Sequence, residues 1–231
     1  MKFLAIDLYT NDPVRTRAFY TQQLGLPIVS ESPSHLTLRI GWTHLTFWAV
    51  NVPVAPYHLA INVPRGALEV CMYYYGFDYL DTQATGQTVA EFPDWNARAS
   101  YFYDNNGNLL EFIGRANLPL DDPNLTINDL FQGVSEVGIA TEDVTLTTCR
   151  LAAQYGIEQF SRSVPKTDFN AVGNDDGLFI LSRVGRKWLF SETEAQLNYC
   201  RVVFLNEPTG QVHTLHSYEV NRIPTGYISA L

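Results

Sequence analysis

One order of segments recurs along this chain, and it constrains the fold more than any single motif. A strand-like run leads into a capped helix, a glycine and a set of short strand-like runs. Residues 3–9 open the first copy. Asn11 or Asp12 supplies an N-cap, Pro13 suits the first helical position, and residues 14–24 form an amphipathic helix ended by Gly25. Residues 26–30, 36–40 and 44–50 then read as strands. A second copy begins at 57–63, with a helix over 67–75 closed by Gly76 and strands over 88–92, 98–103 and 108–114. A third begins at 135–141. Glu142-Asp143 opens its helix over 144–155, Gly156 ends it, and strands follow over 160–164, 169–173, 178–183 and 187–190. The pattern then stops, and 199–205 and 212–219 read as two long strands around Pro208-Thr209-Gly210. Repetition of this kind sets a whole fold. It predicts an α+β chain of βαβββ modules over 1–55 and 56–115, a linker over 116–132, and a third module plus extra C-terminal strands over 133–231.

Composition narrows the class of partner. The chain has 231 residues, 46% hydrophobic and 17% charged, which suits an ordered protein with a substantial core. Its net charge is −9 without any cluster of Lys or Arg, which argues against nucleic acid and anionic membrane as partners. No apolar run approaches the roughly 20 residues that span a bilayer. The N-terminus meets Asp7 before an apolar core of a signal peptide could form, and it reads as a first strand. Cys71, Cys149 and Cys200 are odd in number and widely spaced. They fit the reduced, mostly buried thiols of a cytoplasmic protein. Aromatic residues make up 13%, enough for a large aromatic core or for a cavity that takes a flat small molecule.

The candidate chemistry lies on strands. Residues 101–114 place Asp104-Asn105-Asn106-Gly107 between two strand-like runs, and Asn106-Gly107 predicts a hairpin turn, because both residues tolerate positive φ. The second run carries Glu111 between Leu110 and Phe112, so its carboxylate faces away from them. His58 shares a face with Ala60 and Asn62, and His44 with Thr46 and Trp48. Two imidazoles and one carboxylate suit a divalent metal such as Fe, Mn or Zn and leave positions open to substrate. A lone strand histidine is more often a satisfied polar group, so spacing alone does not establish convergence. Trp95, Tyr101 and Tyr103 are candidates to line a cavity for a flat substrate, and Arg98 to hold a carboxylate or phenolate. The run 172–177 reads as a hairpin turn rather than a calcium loop. The phosphate-binding loop, the dinucleotide fingerprint and the serine-nucleophile elbow are all missing from the sequence.

Several stretches together resemble the vicinal oxygen chelate superfamily, which includes glyoxalase I, bleomycin-resistance proteins and extradiol dioxygenases. Residues 10–25 resemble its "D…FY…LG" helix, residues 57–63 the start of its second module, and residues 104–111 its "DPxGxxxE" ending, with Asn105 where proline is usual. The resemblance implies curved mixed sheets in which the paired modules of 1–115 close a cleft with up to four metal positions. Carried over singly, these fall on His58, Glu111 and His44. The fourth, seven residues before Asp12, falls on Ala5, which cannot ligate. Glu136 stands seven before Asp143 and reads as a buried or edge carboxylate, with a ligand of a second site as the alternative. The resemblance implies an enzyme that uses Fe, Mn, Zn or Ni, with Glu111 catalytic, on a small diol, catechol or 2-oxoaldehyde-like substrate. Ring cleavage is favoured by the aromatic content. The alternative is a binding or resistance protein of the same fold without turnover. A homodimer that combines modules across two chains is left open.

Overall fold

The computed structural model describes residues 1–82, 86–118 and 125–221. The first copy of the repeat folds as β1 (Lys2–Thr10), α1 (Pro13–Ala18), β2 (Ile28–Ser32), β3 (His35–Ile40) and β4 (Thr43–Ala49). The second is β5 (His58–Val63), α2 (Leu68–Tyr75), β6 (Ala90–Phe92), β7 (Ala97–Tyr103) and β8 (Leu109–Arg115). The third is β9 (Gly133–Thr141), α3 (Val144–Tyr155), β10 (Phe169–Asn174) and β11 (Gly177–Arg183). A hairpin of β12 (Cys200–Asn206) and β13 (Gln211–His216) and a last short helix, α4 (Ser217–Val220), follow.

Local chemistry repeats with the elements. Asp12 caps α1 by accepting from Arg15 N at 3.0 Å, and Asp143 caps α3 by accepting from Leu146 N at 2.8 Å. Two residues before each cap stands a buried threonine. Thr10 and Thr141 meet Thr16 and Thr147, each pair at 2.8 Å, and tie the strand end to the first turn of the helix. The expected helix over 14–24 is α-helical only to Ala18 and then widens into a π-turn over Phe19–Gln23.

The strands form two curled mixed sheets, ordered β13-β12-β1-β4-β3-β2 and β10-β11-β9-β5-β8-β7-β6. In each copy of the repeat the first strand lies parallel to the last: β1 to β4, β5 to β8, and β9 to β11. The first two modules do not share a sheet, contrary to the expected pairing within 1–115. The second module instead joins the third through antiparallel β5 and β9, and the first joins the C-terminal hairpin through antiparallel β1 and β12. Strands β5, β8 and β9 are buried along their whole length, so the middle of the second sheet is covered on both faces.

Two expected strands of the third module do not form. At 160–164 the ladder is reduced to a bridge between Gln159 and Val172. Ser163 N then turns back to Phe160 O at 2.9 Å, and Pro165 has no N–H to offer. Residues 187–190 belong to a short hairpin-like cover over 185–195, in which Trp188 N donates to Thr193 O at 2.9 Å and Phe190 takes φ 57°. The hairpin expected after β7 forms, with β7 and β8 antiparallel. Its turn is a five-residue loop in which only Gly107 has positive φ, +76°. Asp104 supplies its bonds: Oδ1 accepts from Asn106 N and Asn108 N at 2.8 and 2.9 Å. Oδ2 accepts from Asn108 Nδ2 at 2.7 Å and from the Tyr20 hydroxyl at 2.8 Å.

Apolar side chains fill two layers. The larger runs through both sheets and the helices and contains Phe3, Phe47, Phe112, Phe179 and Phe204. The smaller lies on the opposite face of the second sheet, beneath the 185–195 cover. There the sheet presents alanine repeatedly, at 60, 97, 99, 140 and 171. Side chains this small leave open space between the sheet and its cover.

Candidate metal centre

That space is a cavity of about 400 Å³, within the size range of small-molecule sites. Its walls are mostly apolar and aromatic, including Phe92, Trp95, Tyr101, Phe169 and Trp188. Three polar side chains stand at its base: His58 from β5, Glu111 from β8 and Glu136 from β9.

Register places them together. Ala60 pairs with Glu111 on one side and with Glu136 on the other, so the two carboxylates flank an alanine. His58 lies two residues before Ala60 and on the same face. Its Nε2 is 3.6 Å from Glu111 Oε2 and 3.8 Å from Glu136 Oε2. The three ligand-capable atoms all lie within 4.8 Å of one another, and all three residues are buried. The other ring nitrogen, Nδ1, is 3.2 Å from Leu109 O. A proton on Nδ1 satisfies that carbonyl and leaves Nε2 with a lone pair toward the carboxylates. The imidazole nitrogen and the two carboxyl groups then face one another at distances too long for direct hydrogen bonds. The donor set is compatible with a divalent cation: an imidazole nitrogen whose other ring nitrogen meets a backbone carbonyl, and two carboxylate oxygens.

Packing fixes the imidazole. The Trp188 ring lies 5.3 Å from it on the cover side. Gly138 of β9 makes room on the sheet side, since a Cβ there would fall 2.9 Å from His58 Cβ and 2.8 Å from Trp188 Cη2.

The two carboxylates differ in surroundings. Burial pushes the Glu111 carboxyl well above its ordinary range, and the neighbouring Glu136 charge adds to this; Arg115 and a hydrogen bond from the Tyr101 hydroxyl oppose it. Burial, then the Glu111 and Glu136 charges, likewise hold the Tyr101 phenol well above its usual value. Glu136 has a cation of its own: Arg115 Nη2 pairs with its Oε1.

The structure separates the residues singled out from sequence. His58 and Glu111 share the site. His44 does not, because β4 belongs to the first sheet, where His44 is exposed. Its register partners there explain the difference. Ala5 pairs with His44 and with Val203, so the set matching Ala60, Glu111 and Glu136 holds only one group able to ligate a metal. Trp95 and Tyr101 line the cavity. Tyr103 lies farther along that face, and its hydroxyl meets Thr193 of the cover at 3.2 Å. Arg98 points to the other face of β7, where Glu69 and Glu91 bind it at 2.5 and 2.8 Å, so it is no cavity cation. Glu136 is the buried, hydrogen-bonded carboxylate expected, and it stands beside His58 and Glu111 rather than apart from them. Its offset from Asp143 was the available signal. Arg115 and Trp188 carry no such signal, the first as a charge at the end of a buried strand, the second within a run that reads as a strand.

No protein-family model and no curated protein matches the chain. Solved structures do. A structure described as a "putative dioxygenase" from Bacillus subtilis subsp. subtilis str. 168 is similar over 79% of this chain, with a TM-score of 0.55 and 20% identity; the chain spans 63% of that protein's length. A glyoxalase I mutant from Zea mays is similar over 93% of both chains, with a TM-score of 0.52 and 14% identity. A second mutant of that protein gives 0.51 over 95% of this chain. The fold is therefore glyoxalase/dioxygenase-like. Among the described residues no helix is long and apolar enough to cross a membrane.

Proposed function

We propose that this chain, with its glyoxalase/dioxygenase-like fold, is a metal-dependent enzyme acting on a small substrate with two adjacent oxygens. His58, Glu111 and Glu136 would hold a divalent metal of the Fe, Mn, Zn or Ni group. The convergence of three buried, ligand-capable side chains on one point carries this reading. A metal bound there supplies Lewis acidity toward the substrate oxygens, or O₂ chemistry if it is iron.

The rest is work for the chain's own residues. Trp95, Phe92 and Phe169 offer flat apolar surface to the body of a substrate. Trp188 and the 185–195 cover keep water from the base of the cavity. Glu111, hydrogen-bonded by the Tyr101 hydroxyl, is the carboxylate suited to take a proton from the substrate. The apolar walls favour an aromatic diol or catechol, for which ring cleavage is the matching reaction. A second reading also draws on those walls: a binding protein that sequesters an aromatic compound without turnover.

Anaerobic reconstitution with each metal, followed by metal analysis and a screen of catechols and 2-oxoaldehydes, tests both. The expected result is one metal per chain, lost in His58→Ala, with turnover in one substrate class. Protein that takes up none of these metals and shows no thermal shift with them would sink the enzyme reading. Metal uptake with ligand binding but no turnover would favour the second.

A further inference from the structure

We propose that Arg115 is a positioning residue that fixes how Glu136 meets the metal, and that Asp175 anchors Arg115 for that task. The inference rests on the metal reading above. Arg115 ends β8 on the face that carries Glu111, and its side chain is fully buried. Its Nη2 holds Glu136 Oε1, which leaves Oε2 as the oxygen turned toward His58. Its Nη1 lies 3.8 Å from Oδ1 of Asp175, in the turn between β10 and β11. Arg162, on the cavity wall, pairs with the other oxygen of Asp175. Four alternating charges thus run from the site to its wall: Glu136, Arg115, Asp175, Arg162.

This arrangement is a poor device for stability alone. Burying a guanidinium is repaid only when its donors are satisfied. Here Nε and Nη1 have no hydrogen-bond partner among the described residues. What the pairing does secure is geometry. A glutamate in a cavity has several rotamers and two equivalent oxygens. With Oε1 occupied by Arg115, Glu136 presents one oxygen to the centre before any metal arrives. Partners of metal ligands act in this way on ligand orientation and basicity. Lysine would keep the charge at position 115 but not the planar fork that reaches two carboxylates.

The test uses the full chain and two probe ions, Mn(II) for affinity by titration calorimetry and Co(II) for its visible spectrum. Wild type is expected to bind one ion per chain. Arg115→Lys should bind about 10- to 100-fold more weakly. Asp175→Asn should weaken binding in the same direction by a smaller factor. Both should alter the Co(II) spectrum, because Glu136 is freed to change how it binds. Melting of the metal-free variants shows whether each is folded. Folded variants with wild-type affinity and an unchanged spectrum would overturn the inference while leaving the metal reading intact. If Arg115→Lys does not fold, Asp175→Asn decides alone, since Asp175 lies in a turn outside the buried strands. Wild type that binds neither ion would sink the metal reading itself, and this inference with it.

Discussion

At the scale of single residues, the site turns on polar groups set into otherwise apolar strand faces. Glu111 has Leu109 and Ile113 on either side of it along its face, and burial holds its carboxyl well above the ordinary range. The sign of the resulting pH dependence follows. A folded-state value above the unfolded one means that the native protein keeps a proton which the unfolded chain has released. In chelator-treated protein the stability contribution of Glu111 is therefore full below the ordinary carboxylate range and is lost as pH rises through the raised value. Urea unfolding from pH 4 upward should show stability falling with pH, and Glu111→Gln should flatten that slope. An equal slope in both proteins would place the titration elsewhere. The polar-in-apolar signal made His58 and Glu111 legible in the sequence, and the seven-residue offset drew attention to Glu136. His44 gave the same local signal and proved exposed, because alternation along a strand fixes a face but not which sheet that face belongs to. Arg98 failed for a related reason: being three residues from Tyr101, it is on the opposite face of β7 and reaches Glu69 of α2.

At the scale of elements, caps and helix-ending glycines were read closely, because their chemistry is local. Asp12, Asp143 and Gly156 all do what their residue types suggest. The two strands that failed depend on what lies beside them. Pro165 interrupts one ladder, and the run 187–190 is drawn onto His58 by Trp188 instead of into a sheet. The loop at 104–108 is the most demanding turn. Asp104 is buried and accepts four hydrogen bonds, one of them from Tyr20 in the first module. Asp104→Ala should lower stability by about 3 kcal/mol, since it removes these bonds and leaves several donors buried without partners. Asp104→Asn should fall between it and wild type. Chemical denaturation measures both, and an alanine variant as stable as wild type would show that the loop holds itself.

At the scale of the whole molecule, the modules were legible but their partners were not. Which module joins which depends on pairing between β5 and β9, whose residues are more than 70 positions apart along the chain. No local pattern encodes a contact at that range. The site sits on this seam, so a fragment over 1–115 lacks Glu136, and its buried strand β5 is left with an unpaired edge. Such a fragment should bind no metal and should associate or aggregate on size-exclusion chromatography. A monomeric fragment that binds metal with wild-type affinity would show that the second and third modules need not meet.

The seam also has a kinetic consequence. Two of the three side chains come from one module and the third from the next, so no partly folded chain with only one module formed can offer all three. The centre exists only after the longest-range pairing in its sheet has closed, a late event where non-local contacts limit the rate. A metal ion present from the start of refolding should then leave the folding rate nearly unchanged. Its stabilisation, about 2.7 kcal/mol at a hundred times its dissociation constant, should appear almost wholly as slower unfolding.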